Sequence, residues 1–245
     1  MKTLIVIPAR WKSSRFQGKS LKMILGMTMI ERVWNQCKLC KKVSKIIVAT
    51  DDNRILNFCN KKNINAIMTS KSHLTGSDRI SEVARRIKAD IYVNVQGDEP
   101  LIKPSSIEKL ISDFKSRKKN GYESIIGFYK IKKKPKYKNY HPTYLVKNSL
   151  NEVLYLSRLP IPFNKKLKKQ YMYISLGLFA FTRKGILEFP KLKNSVLEKY
   201  ENIEMLRFLE NGKRIFCTEL KEENSSVDYP SDIKKIEDIL QKKNK

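Results

Sequence analysis

Leu4-Ile5-Val6-Ile7-Pro8-Ala9-Arg10-Trp11-Lys12-Ser13-Ser14-Arg15-Phe16-Gln17-Gly18-Lys19 is the stretch from which the fold can be read. Thr3 to Pro8 read as a short apolar strand stopped by the proline. The eleven residues from Ala9 to Lys19 then hold two Arg, two Lys, two Ser and one Gly. Such a loop suits a triphosphate: cations meet the phosphate charge, backbone N–H groups reach the oxygens, and Gly18 permits close approach. The G-x-x-x-x-G-K-[ST] spacing of a Walker loop is absent. A solvated basic loop is the alternative.

Outward from this loop the chain alternates strand and helix. A helix is expected over 29–40, a strand over 45–50 ending at Asp51-Asp52, a helix over 53–62 and a short strand over 66–69. Ile80, Val83, Ala84 and Ile87 mark one face of a helix over 78–87. The strand over 91–95 ends in Gln96-Gly97-Asp98-Glu99-Pro100, and Ser105 and Ser106 are read as caps of a helix through 114. Alternation of this kind predicts an α/β fold with a mostly parallel sheet covered on both faces. Ligands of such sheets sit at the carboxyl ends of the strands. The basic loop, Asp51 and the segment 96–99 all fall there.

The second half reads differently. Segments 124–132, 153–157 and 173–181 are extended without long helices between them, which predicts an antiparallel addition to the sheet. Val196, Tyr200, Ile203, Leu206 and Leu209 suggest one helix over 195–210, followed by a strand over 213–220 and a helix over 231–242.

Fifty-one Lys and Arg against 24 Asp and Glu leave a net charge of +27 in 245 residues. Only twelve of the cations are Arg. The Lys runs at 130–138, 165–169 and 242–245 read as solvated faces, with weak, salt-sensitive affinity for nucleic acid or other polyanions. Aromatic residues interleaved with Arg, as a nucleic-acid face needs, are missing apart from Tyr137 and Tyr140 beside the Lys. No apolar run approaches the ~20 residues that cross a bilayer, and a secretory signal pattern is absent, so a cytoplasmic protein is expected. Cys37 and Cys40 have C-x-x-C spacing late in a helical pattern, with no second pair and no nearby His, and read with Cys59 and Cys217 as free thiols.

Three further motifs carry chemistry. Asp98, at a strand end opposite the basic loop, is where Mg2+ could bridge protein and phosphate; helix-capping acids are the alternative. In His73-Leu74-Thr75-Gly76-Ser77-Asp78-Arg79, Thr75 and Ser77 can donate, Gly76 allows approach and Arg79 can reach a phosphate or a base edge; an N-cap loop is the alternative. His73 reads as structural. Asp228, in Val227-Asp228-Tyr229-Pro230-Ser231-Asp232, precedes a helix and becomes a second metal ligand if it folds back on Asp98.

Taken in order, Pro8-Ala9-Arg10, Ser13, Arg15, Gly18-Lys19, Ala49-Thr50-Asp51-Asp52, the 73–79 motif, Asn94-Val95-Gln96-Gly97-Asp98-Glu99-Pro100, Ser157-Arg158-x-Pro160-Ile161-Pro162 and Val227-Asp228-x-Pro230-x-Asp232 resemble the 3-deoxy-manno-octulosonate cytidylyltransferases, which make CMP-Kdo. The resemblance is collinear over essentially the whole chain. It implies the nucleotide-diphospho-sugar transferase fold, Rossmann-like, in one domain. Residues 1–125 would be the nucleotide-binding half, 126–190 the acceptor and dimerisation region, and 191–245 the part completing the metal site. By the same resemblance Pro8, Ala9, Arg10, Ser13, Arg15 and Lys19 would hold the CTP triphosphate, and Thr75, Ser77, Arg79 and Gln96 would surround cytosine and ribose. Asp98 and Asp228 would hold Mg2+, with Arg10, Lys19 and Asp98 catalytic, and Arg158 would face the sugar acid. A homodimer serving lipopolysaccharide or capsule synthesis is implied.

The chain also departs from the family. Phe16-Gln17 stands where Leu-Pro is usual, and Ser20 follows Lys19 where Pro is usual. Ser175-Leu176-Gly177-Leu178-Phe179 replaces His-Ile-Gly-Ile-Tyr, and Glu204-Met205-Leu206-Arg207 replaces Glu-Gln-Leu-Arg. Three polar neighbours of the sugar thus become Ser175, Phe179 and Met205, beside Glu204, and the expectation is a relaxed or redirected acceptor choice. Cytidylyl transfer to Kdo or a modified relative leads; a nonulosonic or non-sugar acid is the second reading, and a basic nucleic-acid-binding α/β protein the third.

Overall fold

A computed structural model describes residues 1–13, 15–117, 120–132, 142–163, 171–193, 195–221 and 226–243. Ser14, most of the lysine runs with Tyr137 and Tyr140, and the last two residues lie outside them.

β1 (Thr3–Ala9) is buried along its whole length, with Leu4 and Val6 in one apolar layer and Ile5 and Ile7 in the other. A strand apolar on both faces belongs in the middle of a parallel sheet, and β1 sits there. After the basic loop, a 3₁₀ turn and a small hairpin of β2 (Met23–Ile24) and β3 (Met27–Thr28) lead into α1 (Met29–Lys38). β4 (Lys45–Thr50), α2 (Asn53–Lys61), β5 (Ala66–Met68), α3 (Gly76–Arg86), β6 (Ile91–Val95) and α4 (Pro104–Arg117) complete the alternating half. β1 pairs in parallel with β4 and β6, and β4 with β5. Side-chain caps start the helices: Thr28 and Glu31 box α1, Asp52 accepts from Arg54 N on α2, and Thr75 and Asp78 box α3. Ser105 and Ser106 lie inside α4, which begins one residue earlier at Pro104, the residue whose fixed φ suits a first helical position.

The second half holds β7 (Ser124–Ile131), β8 (Thr143–Lys147), β9 (Val153–Ser157), β10 (Met172–Thr182), α5 (Arg183–Glu188), α6 (Val196–Glu201), α7 (Leu206–Glu210), β11 (Ile215–Glu219) and α8 (Pro230–Lys243). The nine-stranded sheet has the order β11-β7-β10-β6-β1-β4-β5, with β8 on β10 and β9 on β8. Only β10 runs antiparallel along that path, and β8 and β9 extend the antiparallel part. All three parts of the chain share this sheet, so the fold is α/β with an antiparallel addition.

One expectation fails at 195–210. Asn202 adopts a left-handed conformation at φ 53°, ending α6, and α7 starts anew at Leu206. Val196 and Tyr200, read as part of an apolar face, are exposed at 55% and 82%. Strand β8, helix α5 and the β2–β3 hairpin are additions to the sequence reading.

Candidate active site

The carboxyl ends of β1, β4 and β6 point to one edge of the sheet. Antiparallel β10 brings a fourth element there: Leu178 pairs with Val95, the last residue of β6, so residues before Leu178 run past that edge. The ladder of β10 with β7 is irregular at this point, Ser175 facing Phe128 and Phe179 facing Ile126. Four steps on one strand match two on the other, and this bulge re-aims the side chains between them. A cleft of about 620 Å³ opens over the edge.

The basic loop is built rather than loose. Gly18 has φ 66° and donates its N–H to the Trp11 carbonyl at 2.9 Å; a Cβ at Gly18 would lie 2.9 Å from the indole. The Arg54 guanidinium stacks over the Trp11 ring, 3.6 Å from a ring centre, and Ser13 Oγ accepts from Phe16 N. Arg10 donates to the Leu74 carbonyl at 3.0 Å. Lys19 Nζ contacts the Asp98 carboxylate and reaches the Val227 carbonyl at 3.2 Å. Val227 N donates to the Asp98 carbonyl at 2.9 Å, which brings the segment before α8 onto the end of β6. Beside it Arg15 pairs with Asp228 at 2.7 Å. Thus each carboxylate of the candidate metal pair already has a loop cation.

The structure brings Arg10, Arg15, Thr75, Gln96, Asp98, Arg158, Ser175, Phe179, Glu204, Met205 and Asp228 to this one cleft. Pro8 and Ala9 end β1, with the Pro8 carbonyl pressed on Gly97, and Ser13 and Lys19 support the cleft from the loop. Arg79 is elsewhere. It is fully buried and donates to Asp51 at 2.8 Å and to Thr69 Oγ1 at 2.5 Å. Burial lowers its pKa, Asp51 opposing the shift, and the guanidinium ties Asp51, after β4, to Thr69, after β5. Ser77 is also buried; its N–H donates to Glu204 Oε2 at 2.9 Å.

On the β10 side the wall is more apolar. Phe179 and Met205 are buried in the core that underlies the cleft, and the Ser175 hydroxyl turns back to the Leu176 carbonyl at 3.2 Å. Burial raises the Glu204 pKa, against the stabilising bond from Ser77 N. Arg158 is held in the cleft by backbone: its Nε donates to the Glu201 carbonyl at 3.2 Å and its Nη2 to the Asn202 carbonyl at 3.0 Å. Burial lowers its pKa while Asp228 pulls the other way. The sequence reading missed Asn94, whose side-chain amide is buried under Gly76 with no hydrogen-bond partner among the described residues. It also missed Arg207, a charge between Leu206 and Phe208 on a buried helix, and that burial pattern is the signal for it.

Comparison with known proteins gives the family. Residues 4–215 match the family model described as cytidylyltransferase. A 3-deoxy-manno-octulosonate cytidylyltransferase of Koribacter versatilis is 36% identical over 245 residues, covering 100% of this chain and 92% of that protein. Its counterpart in Trichlorobacter lovleyi is 38% identical, covering 98% and 99%. The solved structure of a CMP:2-keto-3-deoxy-manno-octonic acid synthetase complexed with CTP superposes with a TM-score of 0.89 at 31% identity, covering 99% of this chain and 100% of that one.

Proposed function

The chain belongs to the 3-deoxy-manno-octulosonate cytidylyltransferase family, and from that premise we propose that it transfers CMP from CTP to the anomeric hydroxyl of a 3-deoxy-ulosonic acid, Kdo or a modified relative, with release of pyrophosphate. The observation that carries this reading is the double pairing of loop cations with cleft carboxylates, Lys19 with Asp98 and Arg15 with Asp228. A triphosphate entering the cleft takes over the cations and leaves the two carboxylates facing its oxygens.

Two carboxylates fit Mg2+, which usually binds one or two acidic side chains and completes its shell with water and phosphate oxygens. No group of three or more Asp, Glu, His or Cys that could hold a metal ion occurs among the described residues, and with two carboxylates, phosphate oxygens and water would complete the shell. Bound there, Mg2+ would neutralise charge at the α-phosphate. Arg10, Arg15 and Lys19 screen and orient the triphosphate. Thr75 and Gln96 line the nucleoside end, with Ser77 supporting them from within. Arg158 receives the acceptor carboxylate. In-line transfer needs positioning and charge neutralisation, and no side chain acts as a covalent nucleophile.

The apolar wall of Phe179 and Met205, with the Ser175 hydroxyl turned away, supports an acceptor with a hydroxyl pattern different from that of Kdo. It equally keeps a nonulosonic acid in view. Exposed Leu159, Phe163 and Tyr200 lie on segments joined by the Ser157–Glu201 hydrogen bond and support a homodimer formed through that face. A role in the cytoplasm, feeding lipopolysaccharide or capsule synthesis, completes the proposal; polyanions bind only through lysine charge.

Pyrophosphate release from CTP, measured with Kdo and with ulosonic acids lacking or replacing one hydroxyl, tests this. Release should require CTP, Mg2+ and an acid bearing a carboxylate. No release with any sugar acid sinks the reading. A hundredfold preference for Kdo, about 2.7 kcal/mol, removes the apolar wall from acceptor choice.

A further inference from the structure

Arg207 is 4% exposed. Its Nη1 donates to Asp78 Oδ1 at 2.8 Å, and its Nε and Nη2 fork onto the two oxygens of Glu198 at 2.7 and 2.6 Å. The guanidinium also lies 4.3 Å from the Phe189 ring centre. A planar fork shared between the buried Asp78 carboxylate and the half-buried Glu198 carboxylate fixes both in orientation as well as in charge.

Each partner controls a different wall. The other oxygen of Asp78 accepts from Thr75 N at 3.1 Å and Thr75 Oγ1 at 2.8 Å, closing the capping box that shapes Thr75-Gly76-Ser77. Glu204, three residues before Arg207, holds Ser77 N from the side. Glu198 begins the turn that ends at Glu201 and Asn202, whose carbonyls hold Arg158. Segment 198–207 therefore sets one side of the nucleoside wall and the seat of Arg158.

We propose that Arg207 is a positioning residue that locks the nucleoside wall and the acceptor clamp into one unit, so that its loss weakens both substrates together. The assignment rests on the cleft being the CTP and sugar-acid site. Arg207→Lys keeps a buried cation but cannot fork, and Arg207→Met keeps the apolar bulk without charge. Binding of α,β-methylene-CTP by calorimetry, KM for CTP and for the sugar acid, and melting temperature are measured for each variant and the wild type. Arg207→Lys should melt close to the wild type, yet bind the analogue at least tenfold more weakly and raise KM for the acid at least tenfold. Arg207→Met should lose more, and adding Asp78→Asn should cost it little further affinity, because both changes break one link. Wild-type affinity for either ligand in folded Arg207→Lys overturns the proposal, as does an affinity loss that only follows a falling melting temperature. If Arg207→Met does not fold, the lysine variant alone decides. A wild type that fails to bind the CTP analogue overturns the reading of the cleft itself, and the role of Arg207 with it.

Discussion

Arg15 Nη2 stands 2.7 Å from Asp228 Oδ1, which ties the loop after the first strand to the residue two places before the last helix. Lys19, in the same loop, pairs with Asp98 after β6 in the same way. A resting site whose cations and carboxylates satisfy one another has little residual pull on a lone cation or a lone anion.

That pairing predicts linked binding. Mg2+ or Mn2+ alone should bind the free enzyme weakly, and α,β-methylene-CTP should tighten metal binding at least tenfold, about 1.4 kcal/mol of coupling. Manganese paramagnetic resonance with and without the analogue reads this directly. Equal metal affinity in both conditions would show that the ion pairs do not gate the carboxylates.

Asp98→Asn should leave the fold intact and lower kcat on the order of a hundredfold or more, as removal of a charge facing the reacting phosphate does. The partly exposed partner Lys19 limits the stability loss to about 1 kcal/mol, or roughly 2–4 °C in melting temperature. Lys19→Ala should raise KM for CTP while melting within the same few degrees. Activity of Asp98→Asn above half the wild-type value at saturating Mg2+ contradicts the assignment, and unchanged CTP kinetics in Lys19→Ala restores the solvated-loop reading.

Gly97 meets backbone, and backbone cannot swing away. A Cβ there would lie 2.8 Å from the Pro8 carbonyl oxygen. Gly97→Ala should cost about 2–3 kcal/mol of stability and displace Asp98 from Lys19, so that CTP use falls even in the folded fraction. At Gly76 the nearest atom, in the Asn94 side chain, is 3.4 Å away, and Gly76→Ala should stay within about 1 kcal/mol. Thermal melts of the pair decide; equal losses would mean that the loop yields freely.

All four cysteines are buried and free. Burial pushes the thiols of Cys40 and Cys217 up to about 12 and that of Cys59 to about 11, and raises Cys37 as well. At pH 8 the thiolate form is therefore present at about one part in a thousand or less. Native protein should give no fast reaction with Ellman's reagent, and four thiols should appear in guanidinium. One fast native thiol would place a cysteine at the surface.

Local pattern made much of the fold legible. Strands 45–50, 91–95 and 153–157 agree with the sequence reading to the residue, because runs such as Ile91-Tyr92-Val93 are bounded by polar turns. The two-helix joint at Asn202 was invisible, since Val196, Tyr200 and Ile203 keep helical spacing whether or not the chain turns between them. Arg79 shows the same limit in the site. A cation in a glycine-bearing motif looks available until Asp51, 28 residues away in sequence, takes it. Arg10, Asp98 and Asp228 come to one cleft because each sits close to an element end, where topology leaves little choice of direction. Arg207 was not, because its partners come from two other elements.

The bulge between Ser175 and Phe179 separates two kinds of wall in one cleft. The wall proposed for the triphosphate follows the regular parallel strands β1, β4 and β6, where a shift at one residue disturbs every neighbour in the ladder. The wall proposed for the acceptor stands on an irregular stretch of β10 and on the joint before α7, both of which tolerate new side chains without a change of register. On the acceptor role proposed above, residues 175–179 become the compact segment to graft between relatives when retargeting the enzyme, whereas Glu204, which holds Ser77 N, ties the joint before α7 to the nucleoside side as well.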